Sequence, residues 1–233
     1  MNDHKFAFIM CCNNEMLMDE SLAYLSKLSV PEGYEVEVFT ITDAKSMTSG
    51  YNDAIKSSDA KYKIYMHQDV FILNPNFLER ILDIFKSDSK IGMIGLIGYP
   101  ILAENAIMWE SDRVGAVPMY GIKGAYGKID FENDPFDVAK DVIDVAAIDG
   151  LCMITQYDIP WDSDFNAWDF YDASHSVDIL LEGYRVVVPN QAIPWFIHDD
   201  GRILSLFHYN VSRKLFMQKH GKYLGKPWNE ILQ

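Results

Sequence analysis

The feature that most constrains the fold is a regular alternation of strand-like and helix-like segments in the first hundred residues. Short apolar runs predict strands, and apolar residues that recur every three or four positions predict helices. The predicted strands are Phe6–Cys12, Tyr34–Thr42, Lys61–Met66 and Ile91–Ile97, with helices near 16–28, at 48–58 and from Asn74 onward. This order is typical of an α/β fold, a Rossmann-like, mixed and mostly parallel sheet flanked by helices.

After Pro100 the alternation stops, and 103–145 is predicted to form irregular insertions around a site. Strand character returns at Val145–Thr155 and at Tyr184–Val188, with helices at Asp172–Glu182 and Ile203–Lys219 between and after them. No repeat or linker divides the chain. We therefore expect one domain over 1–233, made of a first half (1–100), a second half (101–202) and a helical tail (203–233).

Composition limits the class of protein. Apolar residues make up 49% and charged residues 23% of the 233, which is average for a globular protein and excludes disordered, collagen-like and coiled-coil chains. A net charge of −14 argues against nucleic-acid binding. The tail 202–233 carries +5, so residues 1–201 carry −19, and the tail is expected to meet phosphate, an anionic membrane surface or the body itself.

The expected location is the cytoplasm, with peripheral membrane contact through the basic tail as an option. Three cysteines without a Cys-x-x-Cys pair favour a reducing compartment. The first apolar run is too short for a signal peptide, and Ile91–Ala103, the longest uncharged stretch, contains three glycines and a proline, so we expect no transmembrane segment.

Polar residues stand at the ends of three predicted strands: Asn14-Glu15, Asp43 and His67-Gln68-Asp69. Ligands of open parallel sheets bind beyond these carboxyl ends. His67 and Asp69 are two residues apart, so in an extended chain both side chains point the same way and can face one ion. Imidazole and carboxylate ligands suit Mg²⁺ or Mn²⁺ bridging a diphosphate. The plainer alternative is that Asp69 caps a turn and His67 packs in the core.

Four motifs in order resemble family 2-like glycosyltransferases with the GT-A fold, over about 5–100 and 145–202. Asn52 and Asp69 lie where that family has Arg-Asn-x-Gly and Asp-x-Asp. Tyr171-Asp172 followed by Gly183-Tyr184 resembles its Glu-Asp and Gly-Tyr signature, and His198 resembles its C-terminal metal-binding histidine. The chain departs from the family at His67, which replaces the first Asp, and at Tyr171, which replaces the Glu.

The resemblance implies a metal-dependent, inverting sugar transfer from a nucleotide-diphosphate donor, with a UDP-sugar expected first. It makes 1–100 the nucleotide-sugar-binding half and 101–202 the acceptor-binding and catalytic half. It makes Asp69 and His198, with His67 as a further candidate, ligands of Mn²⁺ or Mg²⁺ that neutralises the departing diphosphate. It makes Asp172 the base that takes the acceptor proton. The alternative for Asp172 is a helix N-cap.

The donor and acceptor contacts are predicted next. Asn14, Glu15, Asp43, Asn52 and Gln68 are expected to bind the nucleotide, although solvated loop residues would look the same. A glycan or lipid-linked saccharide acceptor is expected against four residues, Asp149, Gly150, Trp168 and Tyr171. Aromatic faces suit sugar rings, and glycine allows another group to approach the backbone closely.

Two other functions stay open. A nucleotidyltransferase on a related sheet would carry a Gly-rich basic loop after the first strand, and Cys11–Asn14 offers none. A non-catalytic sugar-nucleotide or glycan-binding module would explain why His67 and Tyr171 depart from the family pattern.

Overall fold

The computed structural model describes residues 1–116, 142–199 and 205–232, which are built around a seven-stranded sheet. Twelve strands are assigned: β1 (Asn2–Cys11), β2 (Glu35–Ile41), β3 (Ala60–Met66), β4 (Val70–Ile72), β5 (Ile91–Gly95), β6 (Ile97–Tyr99), β7 (Val114–Gly115), β8 (Val142–Asp144), β9 (Ala147–Ile148), β10 (Cys152–Thr155), β11 (Arg185–Pro189) and β12 (Phe196–His198). The α-helices are α1 (Glu15–Leu25), α2 (Met47–Ser57), α3 (Phe77–Ser87), α4 (Tyr171–Leu181), α5 (Leu206–His220) and α6 (Trp228–Ile231).

The main sheet has the strand order β2-β1-β3-β10-β5-β11-β8. Five of its strands run in one direction, and β10 and β8 run antiparallel to their neighbours. The predicted α/β fold with a mixed, mostly parallel sheet is confirmed. The division of the chain at 100 and 202 stays a prediction.

One predicted strand is wrong. The apolar run Ile91–Ile97 is two strands: β5 lies in the main sheet, while β6 leaves it and pairs with β7 and β9 in a three-stranded sheet. All residues of both strands are buried, so the run has no polar residue to mark the break. The predicted irregular segment 103–145 lies outside the described residues over 117–141.

Two hydrophobic clusters cover the two faces of the sheet. Because side chains alternate along a strand, Ile9 and Tyr65 pack against α2 and α4 on one face, while Phe8 and Ile64 pack against α3 on the other. Local signals fix the helix starts: Ser46 and Ser49 form a capping box at α2. The helices therefore hold the sheet rigid, and the loops beyond its strand ends are free to form a site.

A buried ion pair in β3 gives a test of this packing. The Lys63 side chain is 0% exposed, and its Nζ lies 2.7 Å from Asp158 Oδ1 and donates to the Ala60 carbonyl. Asp158→Ala leaves a buried ammonium without its counter-charge, and we expect it to lower the free energy of unfolding by about 3 kcal/mol. Urea denaturation measures this.

The matched control for that experiment is an exposed pair. Lys56 and Asp53 form a salt bridge on α2 with both side chains about three-quarters exposed. Asp53→Ala is expected to change the unfolding free energy by about 0.5 kcal/mol or less. Equal effects of the two substitutions would contradict the structural role of the Lys63–Asp158 pair.

Candidate active site

A cluster of three potential metal ligands lies beyond the end of β3. His67 and Asp69 follow β3 directly, and His198 is the last residue of β12. Antiparallel pairing of β12 with β4 sets His198 opposite Val70, and the Asp199 N–H donates to the Asp69 carbonyl at 2.9 Å. Two distant parts of the chain are brought together in this way.

The ligand atoms of this cluster are close enough to hold one ion. One atom each from His67, Asp69 and His198 lies within 4.8 Å of the others. Asp69 Oδ1 is 3.4 Å from His198 Nε2 and 4.0 Å from His67 Nδ1. That oxygen is buried and makes no hydrogen bond within the described residues, and a buried acceptor of this kind is suited to bind a metal ion. The structure thus brings these three residues together, and their role as metal ligands stays a prediction.

The chemistry of the cluster favours some ions over others. Burial tends to raise the pKa of Asp69, but the contact with His198 and the proximity of the His67 imidazole outweigh burial and lower it, which favours the ionised carboxylate. Two imidazoles with one carboxylate suit first-row divalent ions such as Mn²⁺, whereas Mg²⁺ prefers oxygen ligands throughout. The residues therefore fit a first-row divalent ion better than Mg²⁺, and the identity of the ion stays a prediction.

Asp172 lies in the first turn of α4 and is 7% exposed. Its Oδ2 accepts from the Gly150 N–H at 2.8 Å, and its Oδ1 accepts from the Ala173 N–H. Burial, helped by the charge of Asp149, raises the pKa of Asp172 to about 7. A carboxyl with this pKa is suited to accept a proton near neutral pH. The N-cap alternative is wrong, because the N-cap residue of α4 is Phe170.

Tyr171 and the loop 149–151 join Asp172 to the metal-ligand cluster. Tyr171 Oη lies 2.6 Å from His67 Nε2 and 3.4 Å from the Gly150 carbonyl oxygen. A Cβ at Gly150 would lie 2.2 Å from Tyr171 Oη, so only glycine fits there. The group that approaches the backbone at Gly150 is the Tyr171 phenol, and an acceptor contact at Gly150 stays a prediction.

Residues 7–220 match the family described as a glycosyltransferase-like family. The chain belongs to this family. No curated protein sequence is significantly similar to the chain.

Solved structures share the fold of this glycosyltransferase-like chain at low sequence identity. The mannosyltransferase PcManGT from Pyrobaculum calidifontis, in complex with GDP-Man and Mn²⁺, is 11% identical with a TM-score of 0.55, over 95% of this chain and 63% of that one. S. aureus TarS 1–349 in complex with UDP is 13% identical with a TM-score of 0.54, over 94% and 72%. TarS 1–349 without a named ligand is matched over 84% and 60%.

These neighbours have the GT-A fold, which confirms the predicted fold of the chain. The chain spans about three fifths of the length of the first two structures, PcManGT and TarS. The family is shown by the match over 7–220, and the fold is shown by the solved structures.

Three of the five predicted donor contacts of this glycosyltransferase-like chain, Asn14, Gln68 and Asn52, also have structural contacts. Asn14 caps α1 by accepting from the Met16 and Leu17 N–H groups. Gln68 Oε1 accepts from the Asn13 and Asn14 N–H groups, both at 2.9 Å, so it ties the end of β3 to the end of β1. Their roles in nucleotide binding stay predictions.

The other three predicted donor residues differ in exposure. Glu15 and Asp43 are exposed just after β1 and β2, which are neighbouring parallel strands. Asn52 lies in α2 and exchanges two hydrogen bonds of 2.9 Å with the backbone of Trp161. Its amide therefore holds the segment at 161 in place, and its contact with a nucleotide stays a prediction.

Among the predicted acceptor residues, Trp168 is 47% exposed in the segment before α4, and Asp149 Oδ2 accepts a long hydrogen bond from Tyr99 at 3.4 Å. Tyr99 is a site residue that the sequence did not indicate, since nothing in its position after an apolar run marks it. Trp195, in the segment before β12, is fully buried. Acceptor binding by Asp149, Gly150, Trp168 and Tyr171 stays a prediction.

The basic tail contacts the acidic body in part. Lys219 forms ion pairs with Asp162 and Asp164, and Arg213 donates to the Asn105 carbonyl at 2.7 Å. Among the described residues, the helices are all too short or too polar to cross a bilayer. Peripheral membrane contact through the tail stays a prediction.

Residues 200–204, including the expected start of the last helix at Ile203 and the end of the His198 motif, lie outside the described residues.

Proposed function

We propose that this chain transfers a sugar from a nucleotide-diphosphate donor to a hydroxyl of a glycan or lipid-linked saccharide, with inversion at the anomeric carbon. The observation that carries the proposal is the buried Asp172, with a pKa of about 7, joined through Tyr171 to the ligand cluster of His67, Asp69 and His198. Family membership over 7–220 supports it.

On the donor side, the proposed transfer depends on neutralising the charge of the departing diphosphate. His67, Asp69 and His198 would hold a divalent ion, which supplies Lewis-acid neutralisation of the diphosphate as it departs. The ion of the PcManGT structure is Mn²⁺, and the two imidazoles here favour the same choice. A uridine or guanosine diphospho-sugar is the expected donor, since UDP, UDP-GlcNAc and GDP-Man are the molecules in the neighbouring structures.

The acceptor side depends on one proton. The acceptor oxygen forms a bond to the anomeric carbon while the bond from that carbon to the diphosphate breaks, and the hydroxyl proton passes to Asp172. Asp172 keeps its orientation through the Gly150 and Ala173 N–H groups. Its raised pKa means that it binds a proton well enough to remove one from a hydroxyl under attack.

The donor and metal assignments are tested together by thermal unfolding with UDP, GDP, CDP and dTDP, with and without Mn²⁺. A ligand at a hundred times its Kd stabilises the folded state by about 2.7 kcal/mol, or a midpoint rise of about 5 °C or more. We expect one nucleotide to give this rise only with Mn²⁺. Asp69→Asn should remove the Mn²⁺-dependent part, because it withdraws the charged ligand.

The control is Asp19→Asn, which changes an exposed carboxylate on α1. It should leave the Mn²⁺-dependent rise intact. An Mn²⁺ response in Asp69→Asn equal to that of the unsubstituted protein would refute the metal site. Hydrolysis or transfer of the donor then separates an enzyme from a non-catalytic sugar-nucleotide binder.

A further inference from the structure

Two of the five tryptophans of the chain are exposed. Trp109 is 58% exposed and Trp168 is 47% exposed, whereas Trp161 and Trp195 are buried and Trp228 is partly buried. Single exposed apolar residues are common on protein surfaces, so exposure alone does not identify a site. The positions of these two tryptophans decide what they can bind. Trp168 is one of the predicted acceptor residues, and Trp109 is not.

Both exposed tryptophans are connected to the start of the helix that carries Asp172. Trp168 is two residues before Phe170, the N-cap residue of α4. The Trp109 ring packs on the Tyr209 ring of α5 with centroids 4.8 Å apart, and Tyr209 packs on Phe170 at 4.9 Å. Burial raises the pKa of Tyr209, and the charge of Asp172 adds to this, so the phenol and the carboxylate are close enough to interact. Two packed rings thus connect Trp109 to the helix turn that holds the proposed base.

The loop that carries Trp109 is held in place by polar contacts of Asn105. The Asn105 carbonyl accepts from Arg213 Nη1 at 2.7 Å, and the Asn105 Nδ2 donates to Glu110 Oε2 at 2.7 Å. A short 3₁₀ helix, Met108–Glu110, contains the tryptophan. The indole is therefore presented in a set position before a ligand arrives, which lowers the entropic cost of binding.

A hollow begins at the residues that follow Trp109 in the chain. It has a volume of about 350 Å³ and is lined by Glu110, Ser111 and Asp112 together with Pro100–Glu104 and Gly225. This volume is in the usual range for ligand sites. Carboxylate oxygens accept hydrogen bonds from sugar hydroxyls, and an indole stacks on the C–H face of a sugar ring. The acidic lining suits a neutral saccharide and disfavours a phosphate or an anionic lipid headgroup.

We propose that Trp109 is an acceptor-binding residue, on which the acceptor stacks the sugar next to the one that receives the transfer. The inference rests on the proposed function and narrows its acceptor to a neutral saccharide of at least two sugars. Because two packed rings lie between Trp109 and the first turn of α4, one sugar ring is too small to contact both. The reacting sugar then lies by Asp172 and Trp168, and holding its neighbour on Trp109 orients the hydroxyl for attack.

The test is saturation-transfer difference NMR without donor. The probes are neutral saccharides of one to three units of glucose, galactose, mannose or N-acetylglucosamine. We expect at least one di- or trisaccharide to bind, more tightly than the methyl glycoside of its monosaccharide. Trp109→Ala should raise the Kd of that saccharide about 10-fold, because it removes the apolar face. Trp109→Phe, which keeps an aromatic ring, should raise the Kd less.

Phe207→Ala is the matched control. Phe207 is 76% exposed on α5, and its ring lies 5.6 Å from that of His208. It is two positions from Tyr209, so the two side chains lie on different faces of the helix, and Trp109 packs on the face of Tyr209. This variant should bind the saccharide as tightly as the unsubstituted protein.

The other outcomes overturn separate statements. Absence of binding by every probe would overturn the saccharide site, and equal binding of the methyl monosaccharide would overturn an acceptor of two or more sugars. Equal losses in Trp109→Ala and Phe207→Ala would assign the effect to exposed apolar surface in general. If Trp109→Ala weakened binding to anionic phospholipid vesicles and left saccharide binding unchanged, the indole would be a membrane contact instead. Saccharide binding at Trp109 without any sugar transfer would refute the proposed function and leave a glycan-binding module.

Discussion

Replacing Asp172 with asparagine is expected to lower the rate of sugar transfer about 10³-fold, within the range for the loss of a general base. The amide cannot take the acceptor proton, but it matches the carboxyl in size and keeps one oxygen for the Gly150 N–H. Nucleotide and Mn²⁺ binding should change by about two-fold or less, since neither depends on the proton acceptor. Initial rates with saturating donor measure the loss.

The pH dependence gives a second signature of the same carboxyl. With a pKa of about 7, Asp172 is protonated and inactive in acid, so transfer should rise with pH up to about 7 and then level off. The residual activity of Asp172→Asn should lack this rise. Transfer by Asp172→Asn at the rate of the unsubstituted protein would refute the base assignment.

The free energy of unfolding should fall with rising pH, over the range in which the transfer rate rises. The folded-state pKa of Asp172 is raised from 3.8, so the folded protein binds a proton between about pH 4 and 7 that the unfolded chain has lost. The stability gained from that proton is complete below pH 4 and lost as the pH rises through 7. Relative to the unsubstituted protein, Asp172→Asn should therefore gain up to roughly 4 kcal/mol of unfolding free energy between pH 4 and 8.

Asp178→Asn is the control on the same helix. Burial raises the pKa of Asp178 to about 6, yet its charged neighbours are Asp162, Lys219 and Glu182 rather than the site residues. This substitution should alter the pH dependence of stability and leave the transfer rate unchanged. Loss of transfer in Asp178→Asn would mean that a raised pKa in α4 does not identify the base.

Local patterns predicted the elements of this fold better than their arrangement. Apolar runs and helical spacing located β1, β2 and β3, because each is set by which side chains face the core. The insertion of β10 antiparallel between β3 and β5 has no local signal, since a buried strand has the same composition in either direction. The split of Ile91–Ile97 into β5 and β6 was missed because all residues of both strands are buried and no polar residue marks the break.

The sequence predicted the candidate site residues that share a strand end. It did not predict the contacts that are made through loops. His67 and Asp69 were paired by their spacing, and His198 by resemblance to a family. The contact between His67 and Tyr171 depends on the turn at Gly150, which joins segments that no periodicity connects. Asn14 shows the limit of residue-type reasoning, because an amide at a strand end can also be a helix cap.

Gly150→Ala is expected to reduce transfer at least about 100-fold, as a displacement of about 1 Å at a reacting group can. An alanine Cβ would lie 2.2 Å from Tyr171 Oη, 2.7 Å from its Cζ and 3.1 Å from Asp172 Oδ2. Tyr171 is buried against the rings of Tyr51 and Trp161, so its ring has little space to move aside. The phenol must shift away from His67, or the loop must shift away from Asp172.

The expected result differs from that of Asp172→Asn, which should slow transfer alone. Gly150→Ala should also weaken Mn²⁺ binding, because Asp172 and Tyr171, which contacts His67, both contact this one residue. Mn²⁺ titration and single-turnover rates on the folded protein separate the two effects.

Gly221→Ala is the control, since a Cβ there meets nothing within 4 Å and its φ of −54° is open to any residue. It should match or slightly exceed the unsubstituted protein in stability, through the reduced freedom of the unfolded chain. If Gly150→Ala kept full Mn²⁺ affinity and full transfer, the close contact at Gly150 would not be what positions the base relative to the metal-ligand cluster. The turn at 149–151 would then not be the element that links Asp172 to the metal-ligand cluster.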